Sequence, residues 1–306
     1  MARVTVVGSC NIDLVTRTAR FPRAGEHLIA SDFGTYLGGK GANQAVAARR
    51  AGATVRMVAR VGRDAFAEHI TSALASDGID VGGIGRDHDS PTGNASIWLD
   101  ASGENQILVF PGANATLGTS EAMQSLGDLD VGDVVLMQLE VPMATVLHVA
   151  RLARAQGASV VLNAAPAAPL PDELRHLVDV LVVNETEAAT LAEGSAPAEA
   201  LRTLASQGFS AVVITLGRDG CLVTKSGDVA SDLVPPFVAN GVVDATGAGD
   251  AFCGAFAARL AAGDSIRDAA VWGSAAGSLA VEVVGAIPSM PTKAAIKDRL
   301  TRVARD

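Results

Sequence analysis

The sequence predicts an α/β protein with a doubly wound, mostly parallel sheet and a small four-stranded β lid. Along most of the chain, short apolar runs such as 55–61 and 211–215 alternate with stretches that carry helix caps and glycine stops. Two β-rich segments, at about 12–37 and 92–110, interrupt this alternation and supply the strands of the lid. Polar residues follow several predicted strands, as expected at the carboxyl edge of a parallel sheet.

Length and charge restrict the classes of protein to consider. The 306 residues suit one α/β domain spanning 1–306, with the lid strands inserted into it. The net charge of -9 argues against binding to nucleic acid or to an anionic membrane. The sequence shows no signal-peptide apolar region and no uninterrupted apolar stretch of membrane-spanning length. We therefore expect a cytoplasmic protein whose partners are small molecules.

The three cysteines, Cys10, Cys221 and Cys253, are widely spaced and odd in number. They predict neither a disulfide framework nor a Cys-x-x-Cys site, and we expect buried free thiols. The five histidines have no metal-ligand spacing, so no histidine metal site is predicted.

The first elements bring polar groups to the end of a strand. Residues 3–9 are a short apolar run that ends in a glycine turn, which predicts a buried strand. Asn11 and Asp13 follow it directly. Segments 14–18 and 28–36 are then rich in β-forming residues and predict two strands that leave the main sheet.

A glycine-rich helix entrance follows at 38–44, with the sequence Gly-Gly-Lys-Gly-Ala-Asn-Gln. The helix is expected to continue to about Ala51, and Gly52 ends it. Three glycines in four positions, together with Lys40 and Asn43, suit close backbone approach to a polyhydroxy ligand. A plain turn with a solvated lysine is the alternative.

The later elements follow from the same signals. Asp64 caps a helix that runs to Ser76, and segments 95–99 and 105–110 flank a short glycine loop as in a hairpin. Pro142 is expected at the first position of a helix. Further predicted strands are 134–139, 160–163, 180–183, 211–215 and 221–224, and further predicted helices are 248–262, 266–283 and 292–304.

The segment with the clearest functional pattern is 242–250, Val-Val-Asp-Ala-Thr-Gly-Ala-Gly-Asp. It predicts an extended segment that breaks at a glycine turn and opens a helix. The first amides of a helix have no intrahelical partner and lie at the positive end of its dipole, so they attract phosphate. Asp250 in that first turn could take a proton from a hydroxyl that attacks phosphorus. The alternative is a capping turn without a ligand.

Eight polar residues recur at or near predicted strand ends, which lie on one edge of a parallel sheet. Their pattern indicates a kinase-like site, in which carboxylates and amides hold a polyol and a helix terminus holds a nucleotide phosphate. The eight residues are Asn11, Asp13, Glu140, Asn184, Glu187, Thr215, Asp244 and Asp250.

The chain resembles the ribokinase family of carbohydrate kinases over almost its whole length. The glycine-rich entrance and the turn before Asp250 are the most specific parts of this resemblance. The matching segments, in the order typical of the family, are 8–13, 21–26, 38–47, 111–114, 138–140, 184–187, 215–217 and 244–250.

This resemblance implies ATP-dependent phosphorylation of D-ribose at its 5-hydroxyl, with Mg²⁺. It implies Asp250 as the catalytic base, with the amides of Gly247, Ala248 and Gly249 as an anion hole. The implied sugar contacts are Asn11, Asp13, Gly39, Lys40, Asn43, Glu140 and Asp250. The implied nucleotide contacts are Asn184, Thr215, Gly217, Gly220, Gly249 and Ser274, with Glu187 in the motif associated with Mg²⁺ and phosphate.

The resemblance also implies a K⁺ site and a homodimer formed through the β lid. The implied K⁺ positions are Asp244, Thr246, Ala280, Val283, Gly285 and Ser289, of which Asp244 and Ser289 would bind through side chains. Two alternatives stay open: a kinase for another pentose such as 2-deoxyribose or for a nucleoside, and a non-catalytic sugar-binding regulator.

Overall fold

A computed structural model describes residues 2–225 and 231–303 of the chain. Its strands are β1 (Arg3–Val7), β2 (Asn11–Arg17), β3 (Asp32–Gly38), β4 (Thr54–Val61), β5 (Asp80–Arg86), β6 (Gly93–Leu99), β7 (Asn105–Phe110), β8 (Val134–Met137), β9 (Ser159–Asn163), β10 (Val180–Asn184), β11 (Ala211–Thr215), β12 (Cys221–Lys225) and β13 (Asp232–Val234).

The helices alternate with these strands along most of the chain. They are α1 (Lys40–Arg50), α2 (Ala65–Ser76), α3 (Thr119–Leu126), α4 (Met143–Ala155), α5 (Asp172–Leu177), α6 (Glu185–Leu191), α7 (Pro197–Ser206), α8 (Ala248–Ala261), α9 (Ile266–Ala280), α10 (Ala286–Ser289) and α11 (Lys293–Val303).

The main sheet has the strand order β13-β12-β11-β10-β9-β8-β1-β4-β5. Its pairings are parallel except at one edge, where β12 pairs antiparallel with both β11 and β13. Both faces are covered, since Val134 and Leu136 of β8 join one apolar core and the alternate residues Val135 and Met137 join the other. The doubly wound α/β sheet predicted from the sequence is confirmed.

The lid is a separate sheet with the order β3-β2-β6-β7. It contains the four strands that the sequence predicts, although β3 begins only at Asp32, so the first residues of the predicted segment 28–36 are not in a strand. Aliphatic side chains of β7 lie in solvent, with Leu108 76% exposed. The lid therefore presents an apolar surface that nothing in the described chain covers.

Helices α1 and α8 lie close together beside β1. A Cβ on Gly254 of α8 would lie 2.4 Å from the Cβ of Ala47 and 2.6 Å from the backbone oxygen of Gln44. Such distances leave no space for a side chain, so this glycine sets how closely the two helices approach.

Some elements differ from the sequence prediction. Strands β5 and β13 and helices α3, α5, α6, α7 and α10 were not predicted. Pro142 is the N-cap of α4 and not its first helical residue. The predicted extended stretch before Gly247 pairs with no described strand. Instead, the amides of Val243 and Asp244 donate to the carbonyl oxygen of Val281 at 2.8 and 3.2 Å.

The structure also bears on the cysteines and on membrane-spanning helices. All three cysteines are free and buried, as predicted. Within residues 2–225 and 231–303, no helix is long and apolar enough to cross a membrane.

Candidate active site

Two glycines at the junction of β3 and α1 make room for the polar end of β2. A Cβ on Gly38 would lie 2.4 Å from Oδ2 of Asp13, which is closer than any side chain can approach. Gly39 has φ of 89°, and a Cβ there would lie 2.8 Å from the backbone nitrogen of Asn11. Residues with side chains would therefore displace the two polar groups that follow the first strand.

Asn11 is held in one orientation by a buried asparagine that was not assigned a role from the sequence. Nδ2 of Asn114 donates to Oδ1 of Asn11 at 2.7 Å, and Oδ1 of Asn114 accepts from the amide of Cys10 at 2.9 Å. Because its oxygen is already bonded, Asn11 has its amide nitrogen left to donate to a ligand.

Asp13 lies opposite Tyr36 of β3 and Ala95 of β6 in the lid sheet. Burial, and then the negative charges of Glu140 and Asp250, raise the pKa of Asp13 to about 6. A carboxylate in this setting is stabilised when a ligand donates hydrogen bonds to it from hydroxyl groups.

Glu140 adds a negative charge near Asp13, and Lys40 places a positive charge near Glu140 and Asp250. Oε2 of Glu140 accepts hydrogen bonds from the hydroxyl of Ser9 and, at 3.1 Å, from the backbone amide of Lys40. Burial lowers the pKa of the Lys40 amine, but the carboxylates around it, chiefly Asp250 and Glu140, raise it by more. Lys40 therefore remains protonated at neutral pH and offsets part of the negative charge of the site.

Asp250 lies in the first turn of α8, where it is buried. Its Oδ2 accepts from Nδ2 of Asn43 at 2.9 Å, and its Oδ1 accepts from Nε2 of Gln44 at 2.8 Å. Burial raises the pKa of Asp250, although Lys40 and the two amide donors oppose the shift. The group is thus a carboxylate of increased basicity at the meeting point of α1 and α8.

The N-terminus of α8 is open to a ligand. Gly247 caps the helix with φ of 77°. The amide of Ala248 donates to the carbonyl oxygen of Ala245 at 3.2 Å, while the amides of Gly247 and Gly249 have no partner among the described residues. Of the three amides implied as an anion hole, two are therefore free and one is engaged in the turn.

A cavity of about 740 Å³ adjoins this helix terminus. Five of the residues implied as nucleotide contacts line it, namely Thr215, Gly217, Gly220, Gly249 and Ser274. The remaining wall is largely apolar and includes Pro236, Phe237, Val238, Val242 and Phe252. A concave, mainly apolar cavity that adjoins a helix N-terminus suits a purine nucleotide whose phosphates face the helix.

Asn184 and Glu187 do not line this cavity. They form a capping box at the start of α6, with Oδ1 of Asn184 accepting from the Glu187 amide at 2.8 Å and Oε2 of Glu187 accepting from the Asn184 amide at 2.9 Å. Burial raises the pKa of Glu187, against the effects of the Asn184 amide and of Lys40. The neighbouring Glu185 lines the cavity instead.

Two loops that the resemblance assigns to K⁺ are joined by a carboxylate. Asp244 accepts from the amide of Thr246 at 2.9 Å and from the amide of Gly285 at 2.8 Å. Burial would raise the pKa of Asp244, but these bonds lower it overall. The hydroxyl of Ser289 donates to Ala286 O at 2.7 Å, so its oxygen keeps acceptor capacity.

One of the backbone positions implied for K⁺ is already engaged. The carbonyl oxygen of Ala280 already accepts from the amide of Val283 at 3.2 Å. The oxygen-only character of the set nevertheless suits a hard cation. Among the residues that the structure describes, no group of three or more His, Cys, Asp or Glu could hold a metal ion.

Sequence reasoning gave no role to several residues that shape the site. Gln44 stands beside Asn43 in the glycine-rich entrance, and Gln138 stands two positions before Glu140, so both lay inside segments that were already singled out. The apolar wall at 236–242 carries no motif, and only the folded chain brings it to the cavity.

Comparison with known proteins agrees with this geometry. Residues 1–293 match the family model described as pfkB family carbohydrate kinase. The chain is 38% identical over 301 residues to a ribokinase from Bacillus subtilis, covering 98% of this chain and 100% of that protein. It is 36% identical to a bifunctional ribokinase/ribose-5-phosphate isomerase A from Fructilactobacillus sanfranciscensis, covering 99% of this chain but 58% of that longer protein.

A solved structure is similar over the same extent. The Arabidopsis thaliana ribokinase complexed with ribose and ATP superposes with a TM-score of 0.90 at 32% identity, covering 98% of this chain and 99% of that chain. The family predicted from the sequence is thus confirmed by a model match over most of the chain, by sequence relatives and by the fold. The chain belongs to the pfkB family of carbohydrate kinases.

Proposed function

We propose that this protein is a ribokinase, which transfers the γ-phosphoryl group of ATP to the 5-hydroxyl of D-ribose. The observation that carries the proposal is the position of Asp250. It is bonded on one side to Asn43 of the glycine-rich entrance, and it follows Gly249, which lines the large cavity. The ribokinases among the relatives, and the solved ribokinase with ribose and ATP, support the same assignment.

The chemistry follows from the environment of the base. Asp250 takes the proton of the sugar hydroxyl as its oxygen forms a bond to the γ-phosphorus, while the bond from phosphorus to the ADP oxygen breaks. Burial raises the pKa of Asp250, which makes the carboxylate a stronger proton acceptor. The free amides of Gly247 and Gly249 stabilise the charge on the transferring group. Bound Mg²⁺ would neutralise phosphate charge, and Glu187 is the residue we assign to it.

The sugar side favours a ligand with adjacent hydroxyls. Asp13 offers two acceptor oxygens, and Asn11 offers an amide donor whose orientation Asn114 fixes. Removing the 2-hydroxyl of ribose would leave an acceptor of Asp13 without its donor, which costs on the order of 1–3 kcal/mol. The lid strand β6 places Ala95 beside Asp13, where the base of a nucleoside would need space.

The test is a comparison of kcat/KM for ribose, 2-deoxyribose and adenosine, measured by coupled ADP release with fixed Mg²⁺ and K⁺. We expect ribose to be preferred over 2-deoxyribose by about 5- to 150-fold. A preference for adenosine or 2-deoxyribose would refute the ribose assignment but leave the kinase assignment standing. Absence of ADP release with every sugar, while ribose still binds, would favour a non-catalytic regulator.

We also propose that K⁺ activates the enzyme. A cation held at Asp244 and Ser289, with the backbone near Thr246 and Gly285, would fix the loop immediately before Gly247. The bond from the Gly285 amide to Asp244 already joins these loops and supports the proposal. We expect faster turnover, and a higher unfolding temperature without substrates, in K⁺ than in tetramethylammonium. Equal values in both salts would contradict it.

We further propose that two copies pair through the β lid. One face of the lid exposes large apolar side chains, including Phe33 of β3 and Leu108 of β7 at 61% and 76% exposure. Such a patch is unusual on a monomer and typical of an interface. Light scattering should give a dimer mass for the wild type and a monomer mass for Leu108→Lys. A monomeric wild type at micromolar concentration would contradict this proposal.

A further inference from the structure

We propose that Gln44 is a positioning residue for the base, which holds one carboxylate oxygen of Asp250 through a relay of buried amides. This inference rests on the proposed function, because it assumes that Asp250 accepts the proton. Nε2 of Gln44 lies 2.8 Å from Oδ1 of Asp250 and 2.9 Å from Oδ1 of Asn163. Gln44 is fully buried, and Asn43 rather than Gln44 belongs to the residues assigned to the sugar.

The direction of the Gln44 amide is fixed from two sides. Nε2 of Gln138 donates to Oε1 of Gln44 at 2.6 Å, so the oxygen of Gln44 points away from the base. Nδ2 of Asn163 donates to the carbonyl oxygen of Val182 at 3.1 Å, so the oxygen of Asn163 is the atom that faces Gln44. A reversed Gln44 amide would break all three of its hydrogen bonds.

The relay ties the base to the rigid part of the fold. Gln138 directly follows β8, Asn163 ends β9, and Val182 lies in β10, so three adjacent strands of the main sheet hold the one side chain. Gln138 is also fully buried, and its own Oε1 has no partner among the described residues. A buried acceptor that is left unpaired is costly, and this supports a requirement for the amide at this position.

The relay also influences the pKa of the base. A hydrogen-bond donor stabilises the ionised carboxylate more than the neutral acid, so the bond from Gln44 opposes the effect of burial on the pKa of Asp250. The other ionisable groups that act on or respond to Asp250 are Lys40, Glu140, Asp13, Glu187 and Cys253. Of these, Lys40 is the cation that favours the charged base, and the carboxylates favour the neutral form.

Gln44→Met tests the proposal, because methionine keeps the length and burial but cannot donate. Without the donor the pKa of Asp250 rises, and since only the ionised base accepts a proton, the acid limb of kcat should move up by about one pH unit. Below the acid limb we expect kcat to be about tenfold lower than in the wild type at the same pH, and this difference should disappear on the alkaline side of the limb. The KM for ribose should change by less than about twofold, because Gln44 bonds to Asp250, Asn163 and Gln138 and is not among the residues assigned to the sugar.

Gln138→Met is the matched variant. It removes only the bond that orients Gln44, so it should shift the acid limb in the same direction by a smaller amount. Thermal unfolding of both variants separates loss of fold from loss of positioning. A loss of kcat with an unshifted acid limb would show a purely structural role and overturn the proposal.

Titration of the Asp250 carboxyl carbon by NMR, in the free wild type and in Gln44→Met, gives a second measurement without turnover. The variant should titrate at higher pH. If the wild type does not phosphorylate ribose, the proposed function fails, while this titration still decides the role of Gln44. Equal titration curves would overturn the positioning role even in an active ribokinase.

Discussion

Ribose affinity should decrease as pH falls through the pKa of Asp13, which burial and two neighbouring carboxylates raise to about 6. Sugar hydroxyls donate to the ionised carboxylate, and protonation removes part of its acceptor capacity. With binding restricted to the ionised form, the ionised fraction at pH 5 is about one eleventh, so the dissociation constant should be about 11-fold higher than at pH 8. At pH 6 the expected increase is about twofold.

The assay is calorimetric titration of ribose into the protein without ATP, from about pH 8 to about pH 5. Asp13→Asn is the control, because it cannot titrate and should bind ribose weakly with little pH dependence between those limits. A wild-type dissociation constant that stays the same from pH 8 to pH 5 would refute the reasoning. Full pH dependence retained in Asp13→Asn would instead assign the titration to another carboxylate.

Three further predictions concern residues around the sugar. Asp250→Asn should lower kcat by about 10²- to 10⁴-fold with ribose binding nearly intact, and a kcat above a tenth of wild type would remove this residue from the role of base. Gly38→Ala would place a Cβ 2.4 Å from Oδ2 of Asp13. It should therefore raise the KM for ribose by at least about tenfold, and an unchanged KM would show that the carboxylate does not contact the sugar. Asn114→Asp loses the donor to Asn11, which is bonded at 2.7 Å. It should weaken ribose binding about 5- to 150-fold in calorimetry, whereas wild-type affinity would contradict the orienting role.

The parts of the site that could be predicted from sequence are those with unusual backbone requirements. The glycines at 38–39 and Gly247 stand out because a side chain at each would meet backbone or a carboxylate, and the sequence places polar groups beside them. Asn184 and Glu187 show the limit of this reasoning. An Asn with a Glu three positions later is the pattern of a capping box as well as of a ligand pair, and in this structure the two side chains cap α6.

Strand β5 shows a similar limit to what the sequence can predict about the fold. Its sequence contains Gly82, Gly83 and Gly85, which disfavour strands on intrinsic propensity, so periodicity did not predict it. Tertiary packing explains Gly83, because a Cβ there would lie 2.7 Å from the carbonyl oxygen of Met57 in β4. Similarly, the apolar wall near Phe237 has no regular structure of its own and becomes recognisable only beside α8 and α9.

The close approach of α1 and α8 at Gly254 has a consequence for how substrate range can change in evolution. Helix α1 carries Asn43, α8 carries Asp250, and no side chain can enter between them to alter their separation. We therefore expect divergence toward another sugar to begin in the lid, where β6 lies beside Asp13 with partly exposed positions. Directed selection for 2-deoxyribose from a library covering both regions should enrich substitutions in Gly93–Leu99 and retain Gly254. Enrichment of larger residues at Gly254 would contradict this expectation.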